Sequence, residues 1–531
     1  MLFPRAPQQP PLPARWAAGL AIVAGLVGVL AFPRFGWWPL AFVSVAGLSV
    51  AVDGRRARTG AWLGWLYGVA FFAPLLQWTG IYVGPAPWLI LAVFEAGFCA
   101  VLGAMLPLVQ RLPGAPLWIA CSWVLQEALR DRLPFGGFPW GRLAFSQAQS
   151  PLRWFAALGG APLVSFAVAL AGGGLALAVG HARPMSRRPL ALGVALLAAV
   201  PAVGGLLSWP LAPTPQSRSR TTTVALVQGS VPPLGLQFEL RARQVLDNHV
   251  AQTLRLAAQI KAGQVPKPSI VLWPEDASDV DPFLDPIAYA EINAAVRAVG
   301  VPVLVGAILD GPGPTHRRNV GILWSPTTGP GEQYVKRHPV PFGEYIPLRG
   351  LARLVSSDVN LVTRDMVAGK GNGLLRSAPF PLGDVICFEI AYDGLVRSSV
   401  RAGAQALVVQ TNNATFGHTA ETYQQLAMSQ LRAVETGRSV LQVATTGMSA
   451  VVAPDGTIQS HSGALFTPAL LVATIALHTR QTPATRVGPL PEWVLAGLAL
   501  AALAWSIAAA GRGAASRPET TRPQPEEMVH T

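Results

Sequence analysis

The sequence predicts a helical membrane base of about eight spans joined to a layered α/β domain. Of the 531 residues, 51% are hydrophobic and only 13% are charged, which is too apolar for a soluble protein of this length. Several apolar runs approach the roughly 20 residues that a bilayer-crossing helix needs. Between residues 221 and 478 the pattern changes, because short β-branched runs alternate there with helical patterns, as in layered α/β domains.

The apolar runs divide the chain into five segments. A polar, Pro-rich segment, 1–14, and a polar tail, 512–531, are expected to be disordered. The membrane domain, 15–210, holds seven runs, and an eighth lies in a C-terminal span, 490–511. The predicted spans are 16–32, 38–52, 61–83, 88–108, 116–129, 157–180, 189–207 and 493–510.

The charge pattern sets the expected orientation. The formal net charge is +13, and the arginines fall largely in short loops beside apolar runs, as the positive-inside rule describes. Alternate loops are basic, which predicts a multi-pass protein of the inner (cytoplasmic) cell membrane with both termini in the cytoplasm. The 221–478 domain would then lie on the extracytoplasmic side. No basic stripe interleaved with aromatic residues indicates a nucleic-acid partner.

Two membrane features leave alternatives open. The loop after the fifth run should be external, yet it is basic and holds a turn-rich aromatic stretch, 134–140. It is interpreted as an interfacial re-entrant or lid segment, or as an ordinary aromatic belt. Glu95, inside the fourth run, is either a functional carboxylate or a packed structural group. The arginines that run against the rule are Arg130, Arg132, Arg142 and Arg153.

The three cysteines are not spaced as a metal site or a disulfide framework. Cys99 and Cys121 lie inside apolar runs, whereas Cys387 ends a β-branched run in the more polar half. A free cysteine at the end of a buried strand is either an inert core residue or a nucleophile held at a cleft. A turn is expected at 392–394.

The domain between residues 221 and 478 is predicted to contain nine strands and four helices. The helix candidates are 238–262, 286–299, 395–402 and 420–437. The strand candidates are 223–228, 269–273, 301–309, 320–324, 332–336, 383–388, 406–411, 440–445 and 449–453.

Three strand ends carry residues that together suit acyl transfer. Pro274 cannot continue a central strand, so Glu275 is presented at the sheet rim, and Lys336 and Cys387 also end predicted strands. A carboxylate can take the proton of a thiol as general base, and a fixed ammonium can stabilise the oxyanion of a tetrahedral intermediate. A second carboxylate, Glu344, can hold Lys336 charged and oriented.

These motifs, in this order, resemble the carbon–nitrogen hydrolase (nitrilase) superfamily. The matching stretches are 273–275, 334–347 and 386–390, and the spans on either side resemble the apolipoprotein N-acyltransferases within it. Two further stretches, 138–140 and 227–229, also match that family. The resemblance implies an extracytoplasmic αββα sandwich on a membrane base.

The resemblance also implies roles and partners. Glu275 would be the general base, Lys336 the oxyanion stabiliser and Cys387 the nucleophile, with Glu344 and Glu389 as supporting residues. An acyl chain would pass from a phospholipid to the cysteine as a thioester. It would then pass to the α-amino group of the N-terminal diacylglyceryl-cysteine of an apolipoprotein. No cofactor and no metal are implied.

Two departures from the family pattern are expected to matter, and the role of one further position is not carried over. Phe388 stands where the family often has Tyr, so one hydroxyl is missing beside the cysteine. The run 412–417 lacks the family's Asp and Trp, and this difference is expected to change the shape of the entrance to the substrate-binding site. The aromatic residue expected early in the domain aligns poorly, near Gln237 and Phe238.

Other functions are weighed against this one. A membrane-tethered amidase or nitrilase-type hydrolase could use the same triad, although eight spans are a large anchor for it. A catalytically dead scaffold conflicts with the intact triad, and a transporter would need paired intramembrane charges. The loops 342–353 and 354–368 are interpreted either as lids that dip into the interface or as ordinary packing; their apolar residues are Leu348, Leu351, Leu354 and Val355.

Overall fold

The fold is seen in a computed structural model of the chain, which describes residues 11–180, 187–211, 220–231, 242–354 and 356–515. The predicted disordered segments, 1–14 and 512–531, and the poorly aligned stretch around residue 237 lie largely outside the described residues. So does the apolar residue Val355. Disorder is wrong for Ala14, which begins a helix, and for residues 512–515, which end one.

The first part of the chain is a helical base, and its helices fall on the predicted apolar runs. The third run exceeds its helix, because α3 ends at Leu75 and a short 3-10 helix, Gln77–Gly80, follows. The base helices are α1 (Ala14–Leu30), α2 (Leu40–Val52), α3 (Ala57–Leu75), α4 (Pro85–Val109), α5 (Ala115–Arg130), α6 (Phe155–Gly180), α7 (Arg187–Leu211) and, near the C-terminus, α14 (Leu490–Ala515).

Four of these helical stretches are long and apolar enough to cross a membrane. They are Pro85–Val109, Pro151–Gly180, Arg188–Leu211 and Leu490–Ala510, while α1 and α2 are shorter apolar helices. Their apolar side chains point outward as well as inward, as in a helix surrounded by lipid. Only part of the predicted set of eight spans therefore has the length and composition of a full span.

Small residues bring α3 and α4 into close contact. A Cβ on Gly60 would lie 2.1 Å from the carbonyl oxygen of Gly103, and one on Gly64 would lie 2.2 Å from that of Cys99. Gly68, one turn further along α3, would clash with Ala96 in the same way. This four-residue spacing of small residues is how helices approach closely in membranes, where van der Waals packing drives association.

Two sheets form the next part of the chain, which we call the sandwich domain (residues 220–477). Each sheet has three parallel central strands flanked by antiparallel ones. In the first sheet β1, β2 and β3 are parallel, and the order is β13-β1-β2-β3-β4-β5, with β6 beside β4. In the second sheet β8, β9 and β10 are parallel, and the order is β12-β11-β10-β9-β8-β7.

The strands are short, and several contain only two or three residues. The first sheet is built from β1 (Arg220–Gln228), β2 (Ile270–Leu272), β3 (Val303–Asp310), β4 (His316–Ser325), β5 (Gly329–Val335), β6 (Asp365–Met366) and β13 (Ala469–Leu477). The second is built from β7 (Leu374–Leu375), β8 (Leu382–Ile386), β9 (Ala406–Thr411), β10 (Ser439–Ala444), β11 (Ala450–Val452) and β12 (Ile458–His461).

Helices cover both sheets, which gives four layers in the order α, β, β, α. Apolar side chains such as Leu226 of β1 and Val408 of β9 meet between the sheets. The outer face of the first sheet packs on α8 and α9, and that of the second on α11 and α12. The core beneath the second sheet continues into the helical base. The helices of this domain are α8 (Ala242–Lys261), α9 (Pro286–Val299), α10 (Arg349–Ala352), α11 (Asp393–Arg401) and α12 (Glu421–Thr436), and α13 (Pro483–Val487) follows its last strand.

All nine predicted strands and all four predicted helices are present, with small shifts at their ends. The turn expected at 392–394 is wrong, because Asp393 begins α11. The strand expected to reach residue 388 ends at Ile386. Four strands escaped prediction: the two-residue β6 and β7, the polar β12, and β13, whose nine residues pair with β1 over its whole length.

Candidate active site

Strand direction brings the predicted site residues to one edge of the sandwich. Glu275 follows β2, Cys387 follows β8 and Lys336 follows β5. Because β4 is antiparallel to both β3 and β5, β5 runs in the same direction as β3. Open parallel sheets bind their ligands at the carboxyl ends of their strands. The three side chains therefore share the edge at which such a fold forms a site.

Cys387 sits on a sharp elbow between a strand and a 3-10 helix. Its φ angle is +54°, in the left-handed region that an L-residue other than glycine rarely adopts. The next residues, Cys387–Ala391, form the 3-10 helix. Backbone strain of this kind recurs at functional sites, and here it turns the thiol out of the buried strand, so that Cys387 is half-buried.

The thiol has only weak hydrogen-bond partners. Its Sγ lies 3.5 Å from the Thr411 hydroxyl and 3.7 Å from Nε2 of Gln425. The Thr411 hydroxyl also lies 2.9 Å from Oε1 of Gln425, and its single hydrogen can serve only one acceptor at a time. Burial and the Glu275 carboxylate raise the pKa of Cys387 well above its ordinary value, and the Lys336 ammonium opposes them. The resting thiol is therefore protonated and needs a base.

Lys336 stands between two carboxylates in what we call the Lys336 cluster (Lys336, Glu275, Glu344 and Asn319). Its Nζ donates to Oε1 of Glu275 and to Oε1 of Glu344, each at 2.9 Å. The Asn319 amide donates to the same two oxygens, at 2.8 and 3.1 Å. Burial alone would lower the pKa of Lys336, but the two carboxylates raise it well above its usual range. The ammonium stays charged.

The backbone around Glu275 is fixed by close packing. Pro274 takes the chain out of the sheet, as predicted, and a Cβ on Gly306 would lie 2.0 Å from the Pro274 carbonyl oxygen. The backbone N–H of Asn412, at the end of β9, donates to Oε2 of Glu275 at 2.9 Å. Glu275 is thereby held by contacts from both sheets.

Glu389 ties the elbow of Cys387 to the loop of Lys336. It is fully buried, and its Oε1 accepts from the backbone N–H groups of Arg337, at 2.7 Å, and His338, at 3.1 Å. Its Oε2 accepts from the N–H of Ile386 at 2.9 Å, and the Tyr334 hydroxyl donates to the carboxylate at 3.0 Å. Burial raises the pKa of Glu389. Its contacts fit a positioning residue.

Phe388 is held by aromatic rings from the helical base. It stacks on Trp140 at 5.7 Å between ring centroids, with 3° between the planes, and on Phe138 at 5.5 Å. Trp140 is fully buried, and its Nε1 donates to Gln424 of α12 at 2.6 Å. The aromatic-belt interpretation of 134–140 is therefore wrong for Trp140, which braces the elbow instead of facing lipid.

The run 412–417, which departs from the family pattern, lies directly at the site. Nδ2 of Asn413 donates to Oε2 of Glu421 at 2.7 Å and to Oε1 of Gln425 at 3.1 Å. Burial raises the pKa of Glu421 to about 8. An amide at position 413 can donate to this carboxyl, whereas an Asp carboxylate there has no N–H to donate. Phe416 packs edge-on against Trp78 of the base, with 4.9 Å between centroids.

A second group of buried charges lies where the base meets α11 and α12, and we call it the joint cluster. Arg142 contacts Asp131 at 3.1 Å and Asp393 at 3.0 Å. Arg432 of α12 contacts Asp393 at 2.6 Å and donates to the carbonyl oxygens of Ile390 and Ala391. The cluster comprises Glu95, Glu127, Arg130, Asp131, Arg142, Asp393, Arg432 and Glu435.

Three of the four arginines that ran against the charge rule are held in ion pairs. Arg130 and Arg142 are buried in ion pairs, and Arg132 pairs with Glu492 of α14 at 2.5 Å. These arginines hold the structure together and do not act as topological charges. Glu95 lies 3.6 Å from Arg130, which favours its structural interpretation.

The loops beside Lys336 present apolar side chains to the outside. Phe342 is 56% exposed, Leu348 66%, Leu351 61% and Leu354 82%. Ordinary packing is therefore wrong for these residues, and a lid role stays a prediction.

Three residues of the site were not identified from the sequence: Asn319, Thr411 and Gln425. Only Thr411, at the end of a predicted strand, carried any signal there.

Comparison with known proteins covers both parts of the chain. Residues 24–174 match the family described as Apolipoprotein N-acyltransferase N-terminal domain, and residues 223–484 match Carbon-nitrogen hydrolase. A protein of Mycolicibacterium smegmatis named Apolipoprotein N-acyltransferase is 44% identical, over 93% of this chain and 85% of that one. One of the same name from Azotobacter vinelandii is 29% identical, over 92% and 94%. An amidase structure from Nesterenkonia sp. AN1 is 19% identical, covering 52% of this chain and 96% of that one, with a TM-score of 0.37.

Proposed function

This chain belongs to the apolipoprotein N-acyltransferase family, and we propose that it moves an acyl chain from a phospholipid to a lipoprotein through a thioester on Cys387. It is an acyltransferase with a carbon–nitrogen hydrolase domain. The observation that carries the proposed mechanism is the meeting of a strained half-buried thiol, a buried carboxylate and a charged lysine at one sheet edge.

The first step forms the acyl-enzyme. Glu275 takes the proton of the Cys387 thiol, and Sγ attacks the carbonyl carbon of the phospholipid ester. The Lys336 ammonium stabilises the oxyanion that develops on the carbonyl oxygen. When the intermediate collapses, the carbon–oxygen bond to the lysophospholipid breaks. Glu275 returns its proton to that leaving oxygen.

The second step passes the chain to nitrogen. The α-amino group of the diacylglyceryl-cysteine attacks the thioester carbonyl carbon, and Glu275 takes one of its protons. The carbon–sulfur bond breaks, an amide forms, and the thiol of Cys387 recovers the proton. The apolar rings of Phe388 and Trp140 beside the elbow limit the entry of water, which favours transfer over hydrolysis.

The supporting residues act through the groups they hold. Glu344 keeps Lys336 charged and directed, and Glu389 fixes the elbow against the Lys336 loop. Phe388 orients the elbow through its ring stacking. Compared with the Tyr that the family often has here, Phe388 makes this position less polar but keeps the ring that packs. Neither Glu389 nor Phe388 needs to touch the substrate in this scheme.

The membrane placement proposed here follows the charge pattern. All eight base helices would cross the cytoplasmic membrane, with the shorter α1 and α2 tilting little or thinning the bilayer locally. Both termini would be cytoplasmic and the sandwich domain extracytoplasmic. Both substrates lie in that bilayer, so a site held at its surface turns a three-dimensional search into a local encounter.

An amidase of small soluble substrates is not favoured. Residues 24–174 match the N-terminal domain of the acyltransferase family. An enzyme that acts on small soluble substrates would not need such a membrane base.

The test is Cys387→Ala in the full-length protein, read by mass spectrometry of a lipoprotein N-terminus in cells that lack the native copy. We expect N-acylation to disappear while the protein remains inserted and folded. Cys121→Ala, which alters a buried thiol in the base, is the matched control and should acylate normally. Continued N-acylation by the Cys387 variant would show that another group carries the acyl chain.

A further inference from the structure

A cavity of about 310 Å³ opens between the helical base and the sandwich domain, away from Cys387. Its walls come from three places: the α1–α2 connection (33–36), the segment around Phe145 and the outer face of α12. Residues at the edge of the second sheet, including His461 of β12, complete the lining.

The lining combines an apolar floor with a polar, basic rim. Phe145, Leu426 and Ala427 are buried on the floor, whereas Arg34 and His461 are exposed. Among the described residues that line the cavity there is no Asp or Glu. Within the described part of the chain, the Arg34 guanidinium has no ion pair or hydrogen bond. The Arg34 guanidinium can therefore donate to a bound anion, and the apolar floor beneath it can accommodate a hydrocarbon chain. These two features suit an anion that carries such a chain.

The cavity lies at the level where lipid headgroups would be. Phe35 and Trp37, in the same connection between α1 and α2, are 56% and 59% exposed. Exposed aromatic rings at the ends of apolar helices are typical of the membrane–water interface. This step rests on the membrane placement given above.

α12 separates the cavity from the thiol. Gln425 contacts Sγ of Cys387, whereas Tyr423, Leu426, Ala427 and Gln430 line the cavity. At 3.6 residues per turn, those four lie about 100° to 200° around the helix from Gln425. An ester bound in the cavity therefore faces away from the nucleophile, so the occupant is not the acyl donor.

We propose that this cavity binds the phosphate headgroup of a resident anionic phospholipid, with Arg34 as its counter-ion. An anionic headgroup is favoured over a zwitterionic one because the lining residues that the structure describes include no carboxylate for an ammonium group. The bound lipid would brace the connection between α1 and α2 against α12.

The test is photo-cross-linking of the purified full-length protein in nanodiscs of phosphatidylcholine that contain a diazirine-labelled phosphatidylglycerol. Peptide mapping should place the label on the α1–α2 connection and on α12. Arg34→Gln should lower labelling there about tenfold, which is the usual loss for one charge-assisted contact. Ala427→Trp, which fills the floor, should abolish it.

The matched control is Arg58→Gln, an exposed arginine at the other end of the α1–α2 pair, which should leave the labelling unchanged. Cys387→Ala should also label fully, so the inference can fail or succeed independently of the acyl-transfer mechanism. Equal labelling of wild type and Arg34→Gln at the cavity would overturn the proposal. So would equal labelling by a phosphatidylethanolamine probe, or displacement of the label by millimolar inorganic phosphate or by a lipoprotein N-terminal peptide.

Discussion

The two buried charge clusters of this protein are built from different cations. The joint cluster uses arginines, whose planar guanidinium groups each contact several acceptors at once. The Lys336 cluster uses one lysine, a point charge held between two carboxylates. A planar guanidinium donates several hydrogen bonds in fixed directions and so holds its acceptors in one arrangement. A compact ammonium can stay bound to its carboxylates and still face a developing oxyanion. The cation type thus separates a cluster that holds the structure from one that can act on a substrate.

The clusters also differ in the groups that lie beside them. In the joint cluster the strongest contacts join charged groups to one another and to backbone carbonyls. Beside the Lys336 cluster lies a thiol with contacts of only 3.5 and 3.7 Å. The two clusters are linked along the chain, because Asp393 follows the elbow of Cys387 by six residues. The joint therefore holds the elbow in place.

The largest effect is expected at Lys336. Lys336→Ala should lower the rate of N-acylation about 10²- to 10³-fold, because the oxyanion loses its charged partner. The measurement is single-turnover transfer to a synthetic diacylated peptide. Lys261→Ala, on the sandwich surface, serves as control. A loss of less than tenfold would mean that Lys336 is a structural cation like the arginines of the joint.

The next effect is expected in the joint cluster, on stability. Asp393→Asn should cost about 3 kcal/mol of unfolding free energy, because Arg142 and Arg432 lose a shared buried counter-ion. The measurement is the denaturant midpoint of the detergent-solubilised protein. Arg243→Gln, which breaks partly exposed ion pairs with Asp285 and Glu291, should leave the midpoint almost unchanged. Equal shifts for the two variants would contradict a structural role for the joint.

A smaller effect is expected where the two clusters are connected. Glu389→Gln should lower kcat about tenfold with KM unchanged, because one acceptor oxygen for the backbone donors becomes an NH₂ group. A change confined to KM would instead place Glu389 in contact with substrate. Glu291→Gln, on the surface of α9, is the matched control.

The smallest effect is a shift in the pH profile of Cys387. Alkylation by iodoacetamide follows the thiolate, so in the wild type it should keep rising above pH 9, because burial raises the pKa. Lys336→Gln should move the profile to higher pH, since the cation favours the thiolate. Glu275→Gln should move it to lower pH, since the carboxylate disfavours the thiolate. Shifts in the same direction would contradict the arrangement described here.

Much of the sandwich was predictable because its strands are marked by local patterns. The β-branched runs ending at Ile386 and Thr411 are such patterns, and Pro274 marks the exit of Glu275. β13 escaped prediction although it has nine residues and pairs with β1 over its whole length. Its apolar residues do not alternate clearly, and only the partner strand determines which of them face inward.

The sequence by itself determined which thiol, carboxylate and lysine stand at strand ends, and that apolar helices precede and follow the domain that carries them. Only the tertiary structure decided how these charges are used. Whether Glu95 or Arg142 is functional or structural depends on partners far away in the chain, such as Arg130 and Asp393. The same holds for Trp140, which looked like a membrane anchor and instead stacks on Phe388. Ion pairing and stacking act over a few ångströms in space, and sequence spacing does not specify those distances.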